Sequence, residues 1–233
     1  MRQLSVCSAL PRAAFEIIRA AATMFTYPKG AIIVDQEEKL DHVYFVAEGL
    51  IELYRLSADG KRRIMGFLGS GDLLSGIKNR DGAYCTARTV TQARMCGFPR
   101  KQFLDLMQNH SDLSYMMLLT ATDEIEAQND HIVLLGRRRA LERLAGFLLI
   151  FSNRWRGEGD VDSKVIDLPV PRKDIADYLG LTIESVSRGF TNLKKSGLIS
   201  IPSRDKVVME NIPGLYAIAN LEEMPTMRAG LGL

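Results

Sequence analysis

Cysteine is scarce in this 233-residue chain: there are three, scattered as Cys7, Cys85 and Cys96. An odd, dispersed set builds no disulfide framework and suits a reducing cytoplasm. Histidine is as rare, with His42, His110 and His131 only. No Ser-His-Asp set, metal-spaced ligand group or Walker-type glycine loop is present, so the chain does not read as an enzyme, and neither a cofactor nor a metal is expected. Net charge is only +2, which excludes a general polyelectrolyte binder; any affinity for a polyanion must come from a local patch. Residues 1–30 lack a basic start followed by an apolar core, so no secretory signal is read there. Nor does any apolar run approach the ~20 residues that span a bilayer. The longest, 145–151, is expected to be a buried helix segment. The location that follows is cytoplasmic, away from membranes.

The most informative segment is residues 172–197, RKDIADYLGLTIESVSRGFTNLKKSG. Ile175, Ala176 and Leu179 recur at helical spacing, and Gly180 ends that helix where positive φ is cheap. Thr182 is a good N-cap for a second helix. There Val186, Phe190 and Leu193 form an inward stripe, while Ile183, Glu184, Ser187 and Arg188 share the opposite face. One acid, one hydroxyl and one arginine near the N-terminal end are what a recognition helix presents to base edges. Arg188 can donate twice to a guanine, Glu184 can accept from a cytosine amine, and Ser187 can pair either way. Arg172, Lys173, Thr182, Lys194 and Lys195 are expected at the DNA backbone, which gives affinity without sequence information. In the free protein Glu184 and Arg188 are spaced to pair, an exposed contact of about 0.3–0.5 kcal/mol. A two-stranded wing is expected next: 198–201, a turn over 202–205, then Val207 and Val208, with Arg204 and Lys206 at its tip, where Arg204 is a further DNA-backbone candidate and solvation of the turn the alternative. Arg137, Arg138, Arg139, Arg143, Arg154 and Arg156 form a basic group just before this unit, some of them paired with Glu142 or Glu158.

The first half reads differently. Short apolar runs at 31–34, 43–46, 50–56, 64–68 and 87–98 alternate with Gly30, Gly49, Gly60 and Gly71, and Asp59-Gly60 is a strong hairpin signal. This pattern predicts an antiparallel β-roll, preceded by a short helix over 11–24. From Lys101 the period becomes helical, with one long helix over 111–135. Leu118, Ala121, Ile125, Gln128, Ile132 and Leu135 repeat at spacings of 3 and 4, a heptad seam expected to join two copies of the chain. Met116 and Leu119 lie on another flank, positioned to pack back on the β domain. Gly136 breaks this helix and reads as a hinge; a further helix over 137–153 and a polar loop over 154–164 follow. A short helix over 211–221 precedes a patternless end. The class is α+β, with a β-roll domain over 1–108, a dimerisation helix over 109–136 and a winged helix-turn-helix domain over 137–233.

Three stretches, DHVYFVAEGLIELYRLSADGKRRIMGFLGSGDLL, DHIVLLGRRRALERLAGFLL and LPVPRKDIADYLGLTIESVSRGFTNLKKSG, together resemble the cyclic-AMP receptor/FNR family of transcription regulators. The resemblance covers nearly the whole chain and implies a cupin-like roll of the cyclic-nucleotide-binding type. The E-x-x-S-R order of Glu184, Ser187 and Arg188 is similar to the FNR and FixK branches, which implies a TTGAT-N4-ATCAA site. It also implies a homodimer that recruits RNA polymerase as an activator, at genes of low-oxygen or nitrogen-oxide metabolism.

Departures from the family pattern bear on the sensor. Cyclic-nucleotide receptors hold the phosphate with an Arg-Ser pair, where this chain has Ala83-Tyr84, and Arg80 and Arg88 stand at the wrong spacing. That leaves a phosphate without its main partner and argues against cyclic AMP as effector. A [4Fe–4S] cluster takes four thiolates, and Cys7 and Cys96 match only two of the family's positions. Thiol oxidation at Cys7, Cys85 or Cys96 and haem ligation by a histidine are weaker readings; ordinary structural roles are expected for both residue types. The reading is thus FixK-like, with regulation through the amount of protein made. The alternative is a ligand-gated regulator whose roll takes a small-molecule effector other than cyclic AMP.

Overall fold

A computed structural model describes residues 16, 20–75, 82–155 and 164–221 of the chain. They fall into two compact units, Met1–Glu126 and Ala127–Leu233.

In the first unit the strands are β1 (Thr23–Tyr27), β2 (Ile32–Val34), β3 (His42–Glu48), β4 (Ile51–Leu56), β5 (Arg62–Leu68), β6 (Leu73–Leu74), β7 (Thr86–Thr89) and β8 (Ala93–Pro99). They form two antiparallel four-stranded sheets, ordered β1-β8-β3-β6 and β2-β7-β4-β5. Side chains alternate across a strand, and β3 buries both faces. Tyr44 and Val46 meet Val34, Ile51, Leu68, Ala87 and Met95 between the sheets. Val43 and Phe45 look the other way, joining Cys96, Phe98, Phe103, Leu113, Met116 and Met117. The last four of these come from α1 (Arg100–Asn109) and from the start of α2 (Ser111–Gly136). Met116 thus packs back on the sheet as expected, with Leu119 partly buried beside it.

Asp59-Gly60 makes the expected hairpin between β4 and β5. Gly60 adopts φ 76°, and its N–H donates to Ser57 O at 2.8 Å. Gly49 is tighter still: φ is 96°, and a Cβ there would lie 2.4 Å from Gln92 O.

Two expectations are corrected in this unit, and one strand had not been expected. The leading helix falls mostly outside the described residues, and its last two positions, Thr23 and Met24, open β1 instead. The single run at 87–98 is two strands in different sheets, because the chain crosses from one to the other at 90–92. Side-chain hydroxyls satisfy the backbone at that crossing: Thr91 Oγ1 accepts from Leu50 N and Thr89 Oγ1 from Ala31 N, both at 2.9 Å. The two-residue β6 was too short to show a period.

The second unit holds the end of α2, then α3 (Ala140–Trp155), β9 (Val165–Asp167), α4 (Arg172–Leu179), α5 (Ile183–Lys195), β10 (Ile199–Ser203), β11 (Lys206–Met209) and α6 (Ile212–Ala219). α3 begins three residues later than the pattern indicated, and Phe147 and Phe151 join Leu144, Ala145, Leu148 and Leu149 in the core. The expected ribbon is a three-stranded sheet, β10-β11-β9, in which β9 pairs with β11 through Val207↔Ile166. The final helix is capped by Asn211, which accepts from Gly214 N at 2.9 Å.

Along α2 the heptad positions Leu118, Ile125 and Ile132 are 64%, 61% and 66% exposed, and Leu135 is exposed too. Ala121 and Gln128 share that open face. The border between the two compact units falls inside this helix, between Glu126 and Ala127. Among the described residues no helix is long and apolar enough to cross a membrane.

Candidate nucleic-acid interface

The interface is built from α4, the turn after it, and α5. Burial of Ile175, Ala176 and Leu179 seats α4. Gly180 then takes the left-handed conformation (φ 60°), and Ala176 O accepts from both Gly180 N and Leu181 N. Thr182 caps α5 by accepting from Ser185 N at 3.2 Å, which satisfies one of the orphan donors of a helix start. In α5 Val186, Phe190 and Leu193 are buried as the spacing predicts. Gly189 is buried with them: a Cβ there would lie 2.7 Å from Leu144 Cδ2, so α5 and α3 approach closely at this point.

The other face of α5 is open. Ile183, Glu184, Ser187 and Arg188 are all exposed, as are Lys194 and Lys195 in its last turn. The Glu184 carboxyl is held below its ordinary value by the backbone N–H at the helix start, then by the Thr182 hydroxyl, with the Arg188 cation a smaller influence. Arg188 makes only a long contact, Nη2 donating to Ser185 Oγ at 3.5 Å. The expected Glu184–Arg188 pair is therefore a weak attraction, and the guanidinium stays available.

Two side chains expected at the DNA backbone are engaged in the fold. Arg172 stacks over Phe190, 3.1 Å from the ring centroid, and burial lowers its pKa to about 10. Its guanidinium bonds α4 to α5, because the apolar stripe leaves an aromatic face within its reach. Thr182 is occupied in capping. Lys173 and Arg204 remain exposed, while Lys206 pairs with Asp167 at 3.6 Å.

The carbonyl end of α4 is held from outside the motif. His131, in the last turns of α2, stacks on the Tyr178 ring with centroids 3.8 Å apart and planes 9° from parallel. Its Nε2 lies 3.0 Å from Tyr178 O; a carbonyl only accepts, so that nitrogen carries the proton. Arg143 Nε donates to Arg137 O at 2.9 Å and Nη1 to Leu179 O at 3.0 Å. In sequence Arg143 is one member of a basic group; no local pattern marks such contacts, which cross 36 and 47 residues.

In the sheet domain Tyr84 is exposed, with the Arg55 guanidinium 4.5 Å above its ring. Arg88 is committed elsewhere: it and Arg62 close on the buried Glu52 carboxylate, Arg88 Nε at 2.6 Å and Arg62 Nη1 at 3.0 Å. The residues in place of the Arg-Ser pair thus offer no cation of their own to a phosphate. Nor do the described cysteines fit an iron–sulfur cluster. Cys96 is closed in the apolar layer under α1 and α2. Burial pushes the half-buried Cys85 thiol up, with Arg55 pulling it down. Cys7 lies outside the described residues, as do Arg80 and Arg156. Among the described residues no group of three His, Cys, Asp or Glu could hold a metal ion.

Comparison with known proteins agrees with this geometry at both ends. A cyclic nucleotide-binding domain model matches residues 24–110, and a Crp-like helix-turn-helix domain model matches residues 142–218. The chain belongs to the Crp/Fnr family of transcription regulators. It is 38% identical over 202 residues to the transcriptional activatory protein AadR of Rhodopseudomonas palustris, covering 86% of this chain and 83% of that one. To the nitrogen fixation regulation protein FixK of Bradyrhizobium diazoefficiens it is 36% identical, covering 86% and 84%. The solved structure of FixK2 from Bradyrhizobium japonicum superimposes with a TM-score of 0.76 at 29% identity, covering 88% of this chain and 98% of that one. This Crp/Fnr protein is accordingly a FixK-like DNA-binding regulator and not an enzyme.

His131 gives a pH prediction. Burial lowers its pKa, and the hydrogen bond to the Tyr178 carbonyl opposes that only in part. Unfolded chains take up a proton near the ordinary value of ~6.5, the folded one only at lower pH, so the unfolded state binds more protons between the two. Stability then rises with pH through that window and falls as pH drops from about 6.5 toward the folded value. Thermal melts of wild type and His131→Gln across this range should show a smaller acid loss in the variant; superimposable profiles would remove His131 as the cause.

Proposed function

We propose that the chain is a homodimeric, sequence-specific transcription regulator of the cytoplasm, reading a TTGAT-N4-ATCAA-like palindrome. The exposed Glu184–Ser187–Arg188 face of α5, set by burial of its opposite stripe, carries the reading. Arg188 takes the guanine of the half-site through O6 and N7, Glu184 takes the paired cytosine amine, and Ser187 and Ile183 lie against the neighbouring bases. Lys173, Lys194, Lys195 and Arg204 take the phosphates, with Thr182 contributing through the capped helix start. Arg172 supports this surface from beneath, through Phe190.

The open seam of Leu118, Ala121, Ile125, Gln128, Ile132 and Leu135 pairs with the same seam of a second copy. Two-fold symmetry then matches two half-sites and doubles the contacts. The names of two relatives favour activation: AadR is a transcriptional activatory protein and FnrL of Cereibacter sphaeroides a transcriptional activator protein. RNA polymerase is the second partner in this scheme, and genes of low-oxygen or nitrogen-oxide metabolism are the targets.

Arg188→Ala should lose roughly 1–3 kcal/mol of discrimination at the guanine position. The assay compares its binding to the TTGAT duplex and to a duplex changed at that guanine; a mutant that still discriminates like wild type would remove Arg188 from base reading. Ile125→Glu places like charges face to face on the seam and should shift the mass seen by light scattering from dimer toward monomer. An unchanged dimer would put the interface elsewhere.

A further inference from the structure

We infer that His131 and Arg143 are positioning residues for DNA reading: from outside the helix-turn-helix they hold the carbonyl end of α4 and so fix the turn that aims α5. The inference rests on the DNA-reading function proposed above.

A helix ends with carbonyls that have no partner within it. At the end of α4 the Ala176 carbonyl is satisfied by the turn itself, through Gly180 N and Leu181 N. Two further carbonyls at this end are satisfied from other elements, Tyr178 O by His131 of α2 and Leu179 O by Arg143 of α3. Arg143 uses a second nitrogen of the same planar group on Arg137 O, in the connection between α2 and α3. One guanidinium thus ties that connection to the turn of the reading motif.

The end of α2 is fixed on α3 as well. Leu134 is buried against Gly146, where an added Cβ would lie 2.5 Å from Leu134 Cδ1. Phe147 of α3 meets the Tyr178 ring edge-on at 5.7 Å, on the aromatic surface that also carries His131. From Leu179 only Gly180 and Leu181 remain before Thr182, the cap of α5.

Apolar burial seats α5 and sets its rotation, but the hydrophobic effect is itself non-directional. Hydrogen bonds to two consecutive carbonyls are directional. Base contacts need placement to within about 0.5 Å, so the directional pair decides how well Arg188 and Glu184 register with a base pair.

The test uses the full-length chain as wild type, His131→Ala, Arg143→Met, the double variant, and His131→Gln, whose amide N–H can replace the imidazole donor. Hydrogen exchange without DNA should rise by about tenfold or more at Gly180, Leu181 and Ser185 in the Ala and Met variants. The amides of Leu148 and Ile175 should keep their protection, and His131→Gln should restore it at the turn. In parallel, the ratio of affinities for the TTGAT-N4-ATCAA duplex and a scrambled duplex should fall, with scrambled-duplex binding unchanged at the same salt. Unchanged exchange at the turn would overturn the inference, as would a uniform rise across the domain, which marks a merely structural role. An intact discrimination ratio in the double variant would also overturn it. A wild-type chain that cannot distinguish the duplexes sinks the DNA-reading function instead, while the exchange data still decide whether the clamp holds the turn.

Discussion

The rotation of α5 about its own axis is the constraint on which the reading surface depends, and burial fixes it. Val186, Phe190 and Leu193 are fully enclosed, and side chains of this kind gain about 1.5–3 kcal/mol each on burial. An exposed Glu–Arg pair along the helix is worth about 0.3–0.5 kcal/mol, so it cannot turn the helix against that stripe. Once the stripe is inside, Ile183, Glu184, Ser187 and Arg188 have no choice but the outside. Gly189 permits the depth of this seating by leaving room for Leu144. Arg172 then covers Phe190, exchanging a free surface cation for a bond between the two helices of the motif.

Much of this was legible because its signals are local. Helix period, the Gly180 stop and the Thr182 cap are read within a few residues of where they act, and they gave the right motif with the right faces. The strands around Asp59-Gly60 and the exposed heptad positions of α2 follow from the same short-range rules. What escaped was either too short or too distant. β6 has only two residues, too few to show a period. The chain crossing at 90–92 is set by which sheet each strand joins, a long-range choice. Arg172 and Arg143 look like solvated cations until Phe190, Arg137 O and Leu179 O are brought to them. Likewise His131 shows nothing in sequence of the Tyr178 ring that it covers.

The two halves of this Crp/Fnr chain keep different amounts of the family pattern. In the helix-turn-helix half Glu184, Ser187 and Arg188 stand exposed on α5. In the roll, Ala83-Tyr84 stands where cyclic-nucleotide receptors carry an arginine and a serine, and the nearby Arg88 is tied to Glu52. Neither described cysteine is disposed as a cluster ligand. On the proposed reading, DNA binding needs no added effector and control is exerted through the amount of protein. The ligand-gated alternative requires the opposite: a folded protein that ignores its site until a small molecule fills the roll.

Fluorescence-anisotropy titration of air-purified, ligand-free protein separates these. The duplexes are TTGAT-N4-ATCAA and a scrambled control, at one fixed salt concentration because affinity falls steeply with salt. Tighter binding to the palindrome than to the control is the predicted result. Equal binding to both by a folded dimer would contradict it.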